Sequence, residues 1–128
     1  MLPSDIETLI EEAEKAITNA VAPYSGFAVG AALVTVGGRV FRGCNVENYS
    51  LMLSLCAERA ALIKALTEGE KEIKALAVVA DDGRYCYPCG ACRQILAEFA
   101  PDIEIFLASN VGVKKYTISE LLPSLFRK

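Results

Sequence analysis

The sequence predicts a three-layer α/β/α domain built on a mixed five-stranded sheet. Short β-branched segments alternate with helical segments in the order α-β-β-α-β-α-β-β-α, and such alternation places helices against a sheet. The first two strands are separated only by Gly37 and Gly38, which predicts a tight antiparallel hairpin, so the sheet cannot be purely parallel.

The first helix is predicted from a start signal and an apolar repeat. Ser4 followed by Glu7 has the spacing of a capping box. Apolar residues then recur at helical spacing at Ile6, Leu9, Ile10, Ala13 and Ile17. Pro23 ends this element, and residues 24–27, "YSGF", are predicted to form a turn.

The five strands are predicted from β-branched and small apolar residues. The first two cover residues 28–36 and 39–44, and the third covers 74–80. Residues 103–108 and 114–118 supply the last two strands.

Three further helices are predicted between and after these strands. One runs from about Cys56 to Thr67 and stops near Gly69. The next covers residues 90–100 and is closed by Pro101, and a short helix lies near "SELL".

Composition narrows the class of protein. A chain of 128 residues with 53% hydrophobic and 23% charged residues predicts a single domain over residues 1–128. A net charge of −3 argues against a nucleic-acid surface, which is normally basic. The apolar stretches are too short to span a membrane, and the acidic N-terminus does not have the pattern of a signal peptide. We therefore expect a cytoplasmic protein with no membrane partner.

The sequence has five cysteines and no histidine. Without histidine, Ser-His-Asp, Cys-His and H-E-x-x-H chemistry are excluded. A transition-metal site must then use thiolates, alone or together with carboxylates, which favours zinc or iron–sulfur chemistry. Five cysteines without a secretory signal also indicate a reducing compartment.

Three cysteines fall at the starts of two predicted helices. Cys56 opens one helix, and Cys89 and Cys92 lie in the first turn of another, after Pro88. Helix N-termini stabilise thiolates. Two strand–loop–helix units can bring both N-termini to one edge of a sheet, which would gather the three cysteines around one ion.

Three protein ligands would leave the fourth position of a tetrahedral zinc open for water, as in catalytic sites. Zinc lowers the pKa of such a water toward ~7. The water then needs a proton carrier that is not a ligand. Glu58, two residues after Cys56, is in a position to take that role.

Other interpretations of the cysteines remain open at this point. A C-x-x-C pair at a helix start is also typical of redox-active sites and of structural zinc. An iron–sulfur site on Cys86, Cys89 and Cys92 would need Cys44 or Cys56 as its fourth ligand. Outside that case, Cys44 and Cys86 are interpreted as structural or incidental thiols.

Several motifs together resemble the small, homotetrameric zinc cytidine deaminases. The central ones are "CAER" at 56–59 and "PCGACRQ" at 88–94. "YSGFAVGAAL" at 24–33, "GCNVEN" at 43–48 and "ELLPSLF" at 120–126 are similar to further family motifs and occur in the same order. The resemblance implies a cytidine deaminase-like fold, one Zn²⁺ per subunit, and a homotetramer with sites shared between subunits. It also implies hydrolytic deamination of cytidine and deoxycytidine to uridine and deoxyuridine, with release of ammonia, in pyrimidine salvage.

The resemblance assigns roles around the metal. The implied zinc ligands are Cys56, Cys89 and Cys92. Glu58 corresponds to the proton shuttle, and Arg59 to an arginine that hydrogen-bonds the thiolates and offsets their net charge. Gln94 is expected to support the metal shell through its amide.

The resemblance also implies a nucleoside-binding set. Asn45 and Glu47 match positions that hydrogen-bond the ribose 3′-hydroxyl, and the backbone N–H of Ala57 is expected to meet the base O2. Phe27 matches an aromatic that packs on the pyrimidine, and Phe126 one that reaches into a neighbouring subunit's site.

The sequence departs from the family pattern at two positions, and two other functions are weighed against it. Tyr87 stands where the family more often has Ser, and Leu51 where it usually has Tyr, which affects recognition of the ribose 5′ end. A blasticidin-S-type deaminase would share the zinc motifs, but Glu47 favours a nucleoside. A non-catalytic zinc-stabilised oligomerisation or binding module would have no use for Glu58.

Overall fold

The computed structural model describes residues 3–124 and 126. The elements, in chain order, are α1 (Pro3–Ile17), β1 (Val29–Thr35), β2 (Val40–Cys44), a 3₁₀ turn (Leu51–Leu53), α2 (Ala57–Thr67), β3 (Ile73–Ala80), α3 (Gly90–Phe99), β4 (Glu104–Ser109), β5 (Gly112–Thr117) and α4 (Ile118–Leu121). The predicted order of helices and strands is confirmed. The 3₁₀ turn was not predicted from the sequence.

The strands form one mixed sheet in the order β2-β1-β3-β4-β5. β1 is antiparallel to both β2 and β3, and β3 runs parallel to β4, which pairs antiparallel with β5. Because β2 and β3 both oppose β1, they run in the same direction and end at the same edge of the sheet. The helices that follow them, α2 and α3, therefore both begin at that edge.

Helices cover both faces of the sheet, which confirms the three layers. On one face, α1 places Leu9 and Ala13 against Ala77 and Phe106. On the other face, α2, α3 and α4 pack against the opposite side of the same strands, with Leu62 and Leu96 in the core. β3 is buried on both faces along nearly its whole length, as expected for a central strand. Within the described residues, no helix is both long and apolar enough to cross a membrane.

The helix start signals differ from the sequence prediction. Because α1 begins at Pro3, Ser4 lies inside its first turn and is not the capping residue, so the predicted box with Glu7 is wrong. Proline suits a first helical position because the missing N–H would have no partner there. A capping box is found instead at Thr117, whose side chain accepts from the Glu120 N–H at 3.3 Å, while the Glu120 carboxylate accepts from the Thr117 N–H at 3.0 Å.

The segment between β2 and α2 is tied at its base by backbone pairing. Val46 and Leu55 exchange hydrogen bonds of 3.0 and 2.8 Å. Val21 donates to the Asn45 carbonyl at 2.9 Å and accepts from Glu47 at 2.8 Å. These bridges fix the ends of the segment, and the 3₁₀ turn projects beyond them.

Helix α2 lies directly on β2 at Gly43. A Cβ atom at this position would lie 2.3 Å from the Ala57 carbonyl oxygen and 2.5 Å from the Ala61 nitrogen. Both atoms belong to the backbone of α2, so the helix itself would have to move. Glycine at 43 thereby sets the height at which the first turn of α2 sits above the sheet.

We expect Gly43→Ala to lower the free energy of unfolding by about 3 kcal/mol, the upper end for overpacking, because the backbone must yield. Gly37→Ala is the matched control, since the nearest atom to its added Cβ is a side-chain oxygen at 3.9 Å. Urea denaturation of both variants measures the difference. Equal stability of the two variants would contradict this account of the β2–α2 contact.

Candidate metal centre and active-site cavity

Three cysteines from two helix starts meet at the sheet edge. Cys56 is the N-cap of α2, Cys89 is the N-cap of α3, and Cys92 lies in the first turn of α3. The Cys56 and Cys89 sulfurs are 3.6 Å apart, those of Cys89 and Cys92 are 3.5 Å apart, and all three lie within 4.8 Å of one another. With Zn–S bonds of 2.3 Å, sulfurs around a tetrahedral zinc lie about 3.8 Å apart. The cluster therefore has the dimensions of a three-thiolate zinc site.

The local backbone leaves these thiols free to face one another. Cys56 and Cys89 both have extended backbone, and neither side chain caps its helix by a hydrogen bond. Their carbonyls start the helices by accepting from Ala60 at 3.0 Å and from Arg93 at 2.9 Å. The side chains remain outside the helices, where the positive ends of two helix dipoles favour thiolate.

The thiols of Cys56 and Cys92 shift each other's pKa in opposite directions. A hydrogen bond from Cys92 is the main cause that lowers the pKa of Cys56, with further contributions from Cys89 and the charge of Arg59. The same interaction with Cys56 is the main cause that raises the pKa of Cys92. The Cys56 thiolate thus forms readily while Cys92 holds its proton, and a divalent metal ion would replace that proton.

Arg59 supplies an independent indication that the site fits zinc. Its guanidinium donates to the Ser54 carbonyl at 2.9 Å. Its Nε is buried and has no hydrogen-bond partner among the residues that the structure describes. A buried donor needs an acceptor. Zinc with three thiolates carries a net charge of −1, so a sulfur of the loaded cluster would supply that acceptor.

Glu58 is a buried carboxyl beside the cluster, only 3% exposed in the first turn of α2. Desolvation is the main cause that raises the pKa of Glu58 to about 7, and the charge of Cys56 adds to the rise. A carboxyl with a pKa near neutrality can both accept and release a proton under ordinary conditions.

The cluster opens into a cavity of about 510 Å³. Cys56, Cys89 and Glu58 line it together with Asn45, Glu47, Ala57 and Arg59. This volume is within the range of small-molecule sites, roughly 300–1,000 Å³. The structure thus brings seven of the predicted site residues to one cavity.

Two polar residues of the cavity wall are held firmly. The Asn45 amide accepts from the Val29 N–H at 2.9 Å and donates to the Phe27 carbonyl at 2.7 Å. Glu47 Oε1 accepts from the N–H groups of Tyr24 and Ser25, each at 3.0 Å, and the Ser25 hydroxyl donates to Oε2. The Ser25 hydroxyl is the main cause that lowers the pKa of Glu47, so this carboxylate faces the cavity as a fixed negative charge.

The remaining predicted residues lie outside this wall. Phe27 packs, partly buried, against the core beneath α2 and α3. Phe126 is 74% exposed. Gln94 Nε2 donates to the Phe126 carbonyl at 2.9 Å and its Oε1 accepts from the Phe126 N–H at 3.3 Å. Both ends of the Gln94 amide thus anchor the C-terminal segment in this structure, and its expected support of the metal shell stays a prediction.

The cavity also contains residues that sequence reasoning did not assign to it. Cys86 lines the wall, and burial is the main cause that raises the pKa of its thiol to about 11, so it stays neutral. Val29, Met52 and Leu55 add apolar surface. Of these residues, only Val29 could have been placed in the cavity from the sequence, through the alternation of side chains along a strand. The other three lie outside the α-helices and the five strands, where the local sequence does not indicate which side chains face a cavity.

A buried carboxyl with a near-neutral pKa beside three thiols, at the joint edge of two strand–helix units, defines a zinc-dependent deaminase. Comparison with known families agrees. The family described as "cytidine and deoxycytidylate deaminase zinc-binding region" matches residues 3–108. The chain belongs to this family.

Individual relatives match over nearly the whole chain. A cytidine deaminase from Halalkalibacterium halodurans is 50% identical over 124 residues, which is 95% of this chain and 94% of that protein. One from Sporosarcina psychrophila is 45% identical, covering 97% and 93% of the two chains. The crystal structure of cytidine deaminase from Burkholderia pseudomallei superposes on this chain with a TM-score of 0.90 at 46% sequence identity. The superposition covers 98% of this chain and 100% of that one.

We expect Cys56→Ala to weaken zinc binding by more than ~100-fold. Loss of a residue that only supports a ligand can cost up to ~100-fold in metal affinity, and this substitution removes a ligand itself. The folded state should lose stability as well, since metal binding and folding are coupled. Cys44→Ala is the matched control, with a thiol outside the cluster. Metal analysis of the purified variants measures the zinc content. Zinc retained at one per chain by Cys56→Ala would contradict the site.

Proposed function

We propose that this protein deaminates cytidine and deoxycytidine hydrolytically, giving uridine, deoxyuridine and ammonia, and that it serves pyrimidine salvage with one zinc per subunit. The observation that carries this proposal is the placement of Glu58, a buried carboxyl with a pKa of about 7, beside the three-cysteine cluster. A structural zinc site would not need such a group. The cytidine deaminases that match the chain over most of its length support the choice of substrate.

Cys56, Cys89 and Cys92 would hold the zinc, which when bound lowers the pKa of a water so that it attacks C4 of the cytosine ring. Glu58 accepts a proton from the attacking water and delivers it to N3. Glu58 then takes the second proton of that water, from the hydroxyl now bonded to C4, and passes it to the amine as the C–N bond breaks. Oxygen from water replaces nitrogen at C4, and ammonia leaves.

Other residues of the cavity bind and orient the nucleoside in this proposal. Asn45 and Glu47 hydrogen-bond the ribose 3′-hydroxyl, and their positions are supported by the backbone contacts that fix both side chains. The Ala57 N–H meets the base O2, because the first N–H groups of a helix are left without intrahelical partners. Phe27 would pack on the pyrimidine from beside the cavity wall, with the part of its ring that the core leaves unburied. Arg59, half-buried with its Nε fully covered, offsets the charge of the thiolates.

We further propose a homotetramer in which subunits share sites. The rim of the cavity exposes large apolar side chains, with Tyr49 at 93%, Leu51 at 74% and Met52 at 92% exposure. Contiguous exposed apolar surface indicates a protein interface. Phe126, also exposed, would reach a neighbouring site. A cytoplasmic location is proposed because all five cysteines are free thiols, which suits a reducing compartment.

Ammonia release from purified, zinc-loaded protein tests the activity. The substrates to compare are cytidine, deoxycytidine and blasticidin S, with zinc content measured on the same samples. We expect turnover of both nucleosides. Zinc-loaded protein that releases no ammonia from either nucleoside, or that acts on blasticidin S alone, would overturn the proposed substrate.

We expect Glu58→Gln to retain zinc while losing about 10²–10⁴-fold in kcat, the contribution typical of a general acid–base. The amide keeps the size of the side chain but cannot carry the proton. Steady-state kinetics and metal analysis provide the two measurements. A variant with wild-type turnover would remove Glu58 from the mechanism, whereas zinc loss would give it a structural role.

We expect Glu47→Ala to raise KM for cytidine by at least about tenfold, because a hydrogen bond to a charged group contributes roughly 1.5–3 kcal/mol. Zinc content should not change, since Glu47 is held by Tyr24 and Ser25 and not by the cysteines. Cytidine lacking the 3′-hydroxyl serves as the control substrate and should lose less. Equal losses for both substrates would contradict ribose recognition by Glu47.

A further inference from the structure

The loop that carries Cys89 has little regular structure to hold it. Residues 85–89 are in neither a helix nor a strand. Cys89 is exposed, whereas Cys92, one turn into α3, is buried. On one side, Arg93 Nε donates to the Pro88 carbonyl at 2.8 Å. The position of the Cys89 sulfur therefore depends on side-chain contacts made by this short stretch.

The edge strand β5 presents two residues towards that loop. Lys114 pairs with Leu107 and Tyr116 pairs with Ile105 across the antiparallel β4–β5 ladder. Opposed residues in such a ladder point to the same face. Leu107 and Ile105 belong to the core beneath α2 and α3, so Lys114 and Tyr116 face the side of the sheet that carries the metal centre.

Lys114 connects β5 to two tyrosines of the loop. Its ammonium donates to the Tyr87 hydroxyl at 3.1 Å and lies 4.4 Å from the centre of the Tyr85 ring. The Tyr87 and Tyr116 hydroxyls are 3.3 Å apart, and their rings meet edge-on with centres 5.8 Å apart. Two tyrosines of the loop thus contact the Lys114 ammonium, and Tyr116 contacts one of them, Tyr87.

We propose that Tyr85, Tyr87, Lys114 and Tyr116 form a clamp that holds the Cys89 loop against β5 and thereby sets the affinity of the cluster for zinc. This inference rests on the proposed role of Cys89 as a zinc ligand. Tyr87 is two residues from Cys89, so a shift of its ring displaces the sulfur. Each contact is weak at an exposed site, but Lys114 contacts both tyrosines of the loop, which makes that residue the centre of the clamp. All four are positioning residues.

Zinc affinity tests the clamp without reference to activity. The variants are Lys114→Met, which removes the ammonium but keeps the stem, and Tyr87→Phe, which removes one hydroxyl. Lys115→Met is the matched control, because Lys115 is the next residue of β5, pairs with Phe106 on the α1 face and contacts Glu104 at 3.7 Å. A chromophoric chelator competes for zinc with each purified protein, and thermal unfolding of the metal-free proteins is recorded alongside.

We expect Lys114→Met to bind zinc about tenfold more weakly, within the range seen when support for a ligand is lost. Lys115→Met should bind as the unsubstituted chain does. The double variant with Tyr87→Phe should lose less than the product of the two single losses, because the two residues share a contact. Excess zinc should restore the activity of Lys114→Met.

Equal zinc affinity in the unsubstituted chain and Lys114→Met would overturn the clamp while leaving the proposed function intact. Equal weakening in Lys114→Met and Lys115→Met would also overturn it, since the effect would then come from lost charge on β5. Absence of zinc binding by the unsubstituted chain would overturn the proposed function and the clamp together. If Lys114→Met does not fold, the zinc affinity of the unsubstituted chain is compared with that of Tyr87→Phe, which removes only one hydroxyl.

Discussion

The direction of two strands determines whether this molecule can hold a metal ion. β2 and β3 both pair antiparallel with β1, so they run the same way and deliver the chain to the same edge of the sheet. Helix α2 begins just beyond one strand and α3 just beyond the other. The thiols of Cys56 and Cys89, 33 residues apart in the chain, meet there at 3.6 Å. If β2 ran in the opposite direction, the same sequence motifs would point to opposite edges.

The point where the two helices begin brings together ionisable groups, each of which would cost free energy if it were buried alone. A buried carboxyl and clustered thiols each resist ionisation in a low-dielectric site. Two helix starts and the Arg59 guanidinium supply compensating positive charge, and Arg59 also ties the site to the rim through the Ser54 carbonyl. The outcome is a carboxyl whose pKa lies near 7 beside thiols that favour a divalent cation. Reactivity of this kind comes from burial and mutual contact rather than from any residue taken alone.

Helix α3 links this centre to the end of the chain. Arg93 bridges the Pro88 carbonyl, next to Cys89, and the Leu121 carbonyl at the end of α4, with bonds of 2.8 and 2.7 Å. Gln94 holds the backbone of Phe126 by two further hydrogen bonds. The consecutive residues of the "CRQ" motif therefore contribute to the cysteine cluster, the cysteine loop and the C-terminal segment in turn.

The sequence by itself determined the helices and strands, and it singled out the three cysteines that the structure gathers and the carboxyl of Glu58 beside them. Apolar periodicity and glycine or proline stops depend on neighbours in the chain, and the absence of histidine restricted metal chemistry to thiolates. Local signals misplaced the first helix cap at Ser4 and did not indicate the 3₁₀ turn at Leu51–Leu53. Tertiary structure alone decided the anchoring role of Gln94 and the contact of Lys114 with Tyr87, which are 27 residues apart. Long polar side chains on exposed positions can reach many partners, and only the packing of β5 beside the cysteine loop selects one.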